Sequence, residues 1–322
     1  MPTNRLQVGL CFDRSFPPTF VTEVARSLEA GGAQQLWVIE DCFFTTGPSL
    51  AAAALTVTEQ LTVGVGILPA VARTAPVTAM EIATLCGLAP GRVLPGVGHG
   101  VQEWMAQMGV RPVSPLTALE EVMVAVTRLL AGEQVTSRGH YVNLDAVRLD
   151  QPPADPPPVL AGVFGPKSLA LAGRVAGGVV LAEPASPSYV RWALEQAGRR
   201  PGDPDFHVAV FGVVCVKKDR AEAYRTMAPW LGRQLDQPRT TLTTLPFFDD
   251  LAARYADKGL DGLATMPAEW WTELAPVGTL DDAAAHLQGL EDAGVRSIGM
   301  YPIPDVEVAR TQLADVVELA RG

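Results

Sequence analysis

The chain has 322 residues, 48% of them hydrophobic and 19% charged, which is enough to bury one large core. Its formal net charge is −10 and Lys and Arg form no long run, so nucleic acid and anionic membranes are poor partners. The four cysteines form no C-x-x-C pair, no uncharged apolar stretch has bilayer length, and MPTNRLQVGLCFDRSF lacks a signal-peptide apolar segment, so a soluble, cytoplasmic protein with free thiols is expected.

Short apolar runs alternate with helical ones. LQVGLCF at 6–12 reads as a strand and is followed by a helix over 19–30 that stops at Gly31-Gly32. QLWVI at 35–39 precedes a helix over 48–58, and LTVGVGI at 61–67 precedes one over 77–88. GRVLPGVG at 91–98 leads to a longer helix over 116–131, and VLAG at 159–162 to SLALAGRVA. GGVVLAE at 177–183 leads to SYVRWALEQAG, HVAVFGVVCV at 207–216 to AEAYRTMAPWL, and RSIGMYP at 296–302 to VEVARTQLADVVELA.

These are eight strand-then-helix units. Near-continuous apolar strands require a parallel sheet covered on both faces. Eight of them in this length predict an α/β fold of the (β/α)8 TIM barrel type, a single domain over 1–322, with active-site groups at the strand C-terminal ends. A doubly wound open sheet would need fewer units, and its nucleotide fingerprint is missing. Two inserts interrupt the repeat and are expected at the C-terminal face. An alternating stretch near 133–150 with a central Gly reads as a hairpin, and the segment near 232–279 has helical apolar spacing. Thr279 to Asp282 reads as a capping box with Asp in place of the usual Glu.

The stretch AGVFGPKSLALAG at 161–173 carries the first functional signal. Gly162 and Gly165 permit close backbone approach, and Pro166 suits the first helical position. The free N–H groups of the first turn, with Lys167 and Ser168, would form an anion site at the positive end of the helix dipole. The same turn would also serve packing alone. After the fourth strand, Gly96, Gly98 and Gly100 alternate with other residues, and His99 stands where it could bond a ligand or play a structural part. After the second strand come adjacent acids, Glu40 and Asp41; one is expected to face the barrel mouth, where burial would suit it to proton donation, and a capping acid or a surface ion pair is the alternative. Arg73 after the third strand could meet an anion or solvent. The four histidines show no i, i+4 pair, so no metal site is expected.

Taken together, LWVIEDCFF, GVGILPAVARTAP with VTAMEIATL, PGRVLPGVGHGVQEWMAQMG, LDAVRLD, VLAGVFGPKSLALAGRVAGG, LAEPASPSYVRW and VGTLDDAAAHLQGLEDAGVRSIGMYP resemble the bacterial-luciferase-like flavin and deazaflavin proteins. The resemblance runs from the first strand to the last helix. It points to the branch related to coenzyme F420-dependent methylenetetrahydromethanopterin reductases. It implies a ring across the barrel mouth, a non-prolyl cis peptide at Gly66–Ile67 behind that ring, and contacts from Gly98, His99 and Gly100. It implies that Ala161, Gly162, Val163, Gly165, Pro166, Lys167 and Ser168 hold the cofactor's phosphate. Many relatives read Asp-His after the second strand; here the text is Glu40-Asp41-Cys42, which leaves Asp41, then Glu40, then His99 as the candidate catalytic groups.

The implied function is an F420-dependent oxidoreductase acting on an activated C=C, C=N or carbonyl-type small molecule or a peptide intermediate. An FMN-dependent monooxygenase and a non-catalytic flavin-binding protein are the alternatives. A homodimer through the helices after strands two and three is also implied.

Overall fold

The computed structural model describes residues 5–322. Eight parallel strands close into a barrel, labelled here in chain order: β1 (Gln7–Phe12), β2 (Gln35–Val38), β3 (Thr62–Pro69), β4 (Val93–Gly98), β5 (Leu160–Gly162), β6 (Gly178–Leu181), β7 (His207–Val213) and β8 (Ser297–Tyr301). Each strand pairs with its neighbours in sequence, and β1 closes the ring against β8, with Gln7 opposite Ser297 and Leu10 opposite Met300. The predicted barrel is therefore the fold. Strand burial is almost unbroken, as it must be when helices cover the outside and side chains fill the inside.

The inside is filled by few, large groups. Trp37 and Phe211 meet edge to face at 5.2 Å, and Phe211 meets Tyr301 in the same manner at 5.7 Å. Trp37 fits only because glycines face it: a Cβ on Gly64 would come within 2.3 Å of its ring and one on Gly299 within 2.8 Å. Beneath the aromatics lies a polar layer. Trp37 Nε1 donates to Gln35, Gln35 Nε2 donates to the Ser297 hydroxyl at 2.8 Å, and His207 Nε2 shares that hydroxyl at 2.8 Å. Each of these buried polar atoms thus has a partner.

The covering helices follow the strands: α1 (Val21–Gly31), α2 (Gly47–Leu55), α3 (Ala75–Leu88), α4 (Pro115–Leu130), α5 (Pro166–Val175), α6 (Pro187–Gln196), α7 (Leu280–Asp292) and α8 (Val306–Arg321). α1 ends where Gly32 takes the left-handed conformation at φ 90°. α7 begins with the capping box read from the sequence: the Thr279 hydroxyl accepts from the Asp282 N–H, and Asp282 accepts from the Thr279 N–H at 2.8 Å.

One helix is placed differently from the sequence expectation. AEAYRTMAPWL lies in the helix Arg220–Asp236, which does not cover the barrel after β7. Ala223, Tyr224, Met227 and Leu231 instead pack with Leu251, Leu263 and Trp271 in a second apolar cluster. The barrel's own cluster takes Ala283, Leu287 and Leu290 of α7. The helical insert thus begins soon after β7 rather than near residue 232. The hairpin insert pairs Val135–Arg138 with Asn143–Val147. Its turn is held by Glu121 of α4, which accepts from the N–H groups of His140, Tyr141 and Val142 at 2.8–2.9 Å.

Candidate active site

A cavity of about 240 Å³ opens at the C-terminal ends of the strands, where a TIM barrel carries its chemistry. Its lining is mainly apolar: Ile39, Gly66, Ile67, Gly162, Val163, Phe164, Val180, Ala182, Phe211 and Tyr301. Two carboxyls, Asp41 and Glu183, break that surface. A larger groove of about 670 Å³ lies to one side, between residues 70–76, 109–113 and 141–144. It contains no Asp, Glu or His, whereas the smaller cavity holds two carboxyls.

The two adjacent acids after β2 part company. Glu40 turns into the protein and is 8% exposed. Both its oxygens bind the Arg73 guanidinium, and it accepts from the Gly47 N–H at 2.9 Å at the start of α2. Arg73 in turn pairs with Glu81 at 2.9 Å, so it meets neither a free anion nor bulk solvent alone. Asp41 faces the cavity and accepts from Arg14 Nη1 at 2.7 Å. The Arg14 guanidinium also lies over the Phe44 ring at 4.8 Å.

The cavity floor is Ile67. The Gly66–Ile67 peptide is cis, and so are Cys42–Phe43 and Glu183–Pro184. The glycines near Ile67 leave room for its side chain rather than for a ligand. A Cβ on Gly162 would come within 2.5 Å of Ile67 Cγ2, and one on Gly98 within 2.6 Å of the Gly162 carbonyl and 3.1 Å of Ile67 Cδ1. Gly165 is different: a Cβ there would meet nothing within 4 Å. The space in front of α5 is open.

That open space faces the start of α5. Gly165 is its N-cap in an extended conformation, Pro166 is its first residue, and no side chain caps it. Lys167 is exposed, and Ser168 is half-buried. His99 reaches this turn from the β4 end, with Nε2 2.9 Å from Ser168 Oγ and Nδ1 3.2 Å from the Pro115 carbonyl. A carbonyl only accepts, so Nδ1 carries the hydrogen; in the neutral ring, Ser168 then donates to Nε2. Burial lowers the His99 pKa below its usual 6.5, against the opposing effect of the Pro115 carbonyl. Gly100, next in the chain, takes φ 67°. The loop before α5 is braced from α6, where the buried Tyr189 hydroxyl donates to the Phe164 carbonyl at 3.0 Å.

The structure thus groups the expected residues in two places. Asp41, Gly66, Ile67, Gly162 and Val163 line the cavity. His99, Ser168 and the α5 start form an adjoining polar corner, with buried Ala161 and Gly98 in the strands that carry it. Glu40 belongs to neither. Sequence reasoning missed Glu183, Phe164, Tyr301 and Arg14. For Glu183 a signal exists: it stands two residues past β6, the kind of position that directed attention to Glu40 and Asp41 after β2.

A closed parallel barrel with acids and an anion-ready helix start at its strand C-terminal ends defines a TIM-barrel enzyme scaffold. The luciferase-like monooxygenase family matches residues 4–297. The chain belongs to that family. Among curated proteins, it is 29% identical over 222 residues to a 5,10-methylenetetrahydromethanopterin reductase of Methanolobus tindarius, covering 67% of each chain. It is 32% identical over 160 residues to an F420-dependent glucose-6-phosphate dehydrogenase of Nakamurella multipartita, 46% of this chain and 47% of that one. Among solved structures, the coenzyme F420-dependent tetrahydromethanopterin reductase from Methanopyrus kandleri superposes with a TM-score of 0.78 at 20% identity, covering 98% of both chains. Among the described residues, no helix is long and apolar enough to cross a membrane.

Proposed function

We propose that the protein is an F420-dependent oxidoreductase acting on a small molecule or a peptide intermediate with an activated C=C, C=N or carbonyl-type group. The observation that carries this is the adjacency of an apolar, acid-bearing cavity to an uncapped helix start with Lys167 and Ser168. A cofactor with a flat apolar ring and a phosphate tail needs both. The residues fit such a group, because the space in front of Gly165 is open and the first turn of α5 offers unpaired donors to an anion. The names of the relatives above support F420 over FMN.

When bound, reduced F420 supplies a hydride. The chain's residues do the rest. Lys167, Ser168 and the α5 backbone hold the phosphate. Ile67 and Val163 give the ring an apolar bed that keeps water from it. Asp41, fixed by Arg14, holds negative charge at the cavity edge. The same reading carries the homodimer: α3 leaves Val77, Met80 and Leu88 exposed, an apolar face that a second copy would cover.

The assignment is tested by equilibrium binding. Preferential retention of F420 by the purified protein on ultrafiltration supports it. Preferential retention of FMN, with oxygen consumption when the flavin is reduced, would transfer the protein to the monooxygenases. F420 retention without turnover on any acceptor would leave a binding protein.

A further inference from the structure

We propose that Glu183 is the acid that gives a proton to the substrate. This rests on the oxidoreductase reading above and adds a residue to it. Glu183 sits in the cavity wall with Asp41, Ile67, Phe211 and Tyr301, where a reacting group would lie. The other acids around the mouth are already engaged. Glu40 is held by Arg73, Asp41 by Arg14, and Asp13 accepts from the Ser15 N–H and hydroxyl. Among the described residues, Glu183 alone of these makes no ion pair and no side-chain hydrogen bond to another residue.

The surroundings favour an acid that keeps its proton. Burial raises the Glu183 pKa above the usual 4.5. The nearby Asp41 charge acts in the same direction, while Arg239 from the helical insert and Arg14 oppose it. Cys11 of β1 and Tyr301 of β8 lie close enough to feel this carboxyl's charge. Burial pushes both of them well up, so they stay uncharged around neutrality.

The step balances. With the hydride that bound F420 would supply, a new C–H bond would form at the electrophilic carbon and the π pair would move to the neighbouring atom. That atom takes the proton from Glu183 as the carboxyl O–H bond breaks. The substrate gains two electrons and two hydrogens, and a solvent proton restores the carboxyl. In the oxidative direction the same carboxylate accepts the proton.

The test begins on the ligand-free full chain, by infrared titration of the carboxylic acid C=O band. Asp315 is also raised by burial, so the titration is read in an Asp315→Asn background; there the protein should keep such a band above the ordinary value of 4.5, and Glu183→Gln should remove it. Asp41→Asn should keep the band and lower its midpoint, whereas Arg239→Ala should raise it. Absence of the band, or its survival in Glu183→Gln, overturns the proposal. Glu183→Gln should bind F420 within about threefold of wild type. Turnover is then followed on a panel of 2-cyclohexenone, a cyclic imine, and a secondary alcohol with oxidised F420. On any member that wild type converts, Glu183→Gln should lose about 10²–10⁴ in kcat with little change in KM, and Glu183→Asp should recover part of it. An unchanged kcat overturns the proposal. Failure of wild type to bind F420 or to convert any member sinks the oxidoreductase reading instead, a result separate from the carboxyl titration.

Discussion

Arg73 grips both oxygens of Glu40, and this pairing decides which of two adjacent acids serves the barrel mouth. Glu40 and Arg73 are 8% and 16% exposed, so the pair is largely removed from water. Breaking one side of such a pair strands a buried charge, at a cost of about 3–5 kcal/mol. Arg73→Met should therefore lower the unfolding free energy by about that much in urea denaturation. Adding Glu40→Gln should restore part of it, because the more buried of the two carboxylates held by Arg73 is then neutral, while Glu81, 29% exposed, keeps some water. Equal destabilisation in the single and double variants would show that the loss comes from elsewhere.

The contact between His99 and Ser168 predicts a pH-dependent phosphate site. In the neutral ring, the Ser168 hydrogen points at His99 and away from a ligand. A protonated His99 would donate to Ser168 and free that hydrogen for a phosphate oxygen. The free-state pKa lies below 6.5, and a bound anion would raise it. Affinity should thus increase as pH falls through the window between the bound and free values, and be flat above it. A phosphate monoester such as FMN titrates too, with its second ionisation near about 6, so the comparison is with His99→Gln. Calorimetric titration from neutral to mildly acid pH should show a steeper rise in affinity for wild type than for the variant; parallel curves would exclude the coupling.

Two histidines far from the mouth predict acid lability. Burial lowers both His207 and His286 from 6.5 to about 4. His286 Nδ1 donates to the Thr272 carbonyl at 2.7 Å, and His207 belongs to the polar layer beneath Trp37. Between about pH 6.5 and 4 the unfolded chain binds protons that the folded chain refuses, so stability falls as pH falls. Each histidine contributes roughly 3 kcal/mol over that window. Denaturation midpoints measured against pH should show this slope, and His286→Gln should flatten it by about half of the histidine contribution. An unchanged slope would mean that His286 is protonated in the fold.

The barrel was legible because its physics is repetitive. Apolar strands such as GVVL and the helical stretches between them recur along the chain, and each reads on its own. The Thr279–Asp282 capping box was legible for the same reason: it is local. The helix Arg220–Asp236 was misplaced because its apolar stripe fits a barrel flank and an insert core equally well. Only three-dimensional packing separates those two. The choice between Glu40 and Asp41 was open because β2 ends at Val38 and the alternation of a strand stops there. Glu183 was hidden by its apolar context, LAEPASP, which reads as the end of a buried strand. The glycines flanking Ile67 were legible as close contacts, but the sequence does not say what approaches. At Gly162 it is Ile67, at Gly98 the Gly162 carbonyl and then Ile67, and at Gly165 nothing lies within 4 Å.

The most direct test of the central claim is a pair of binding titrations, F420 and FMN, on wild type, Gly165→Ala and Lys167→Ala. Gly165 has φ −94° and an empty surround, so alanine there should leave the thermal midpoint unchanged or slightly raised. The account predicts that wild type binds F420 more tightly than FMN, and that both variants stay folded while losing about tenfold or more in F420 affinity. Wild type that binds neither ligand, or a Gly165→Ala protein that binds F420 as tightly as wild type, would contradict it.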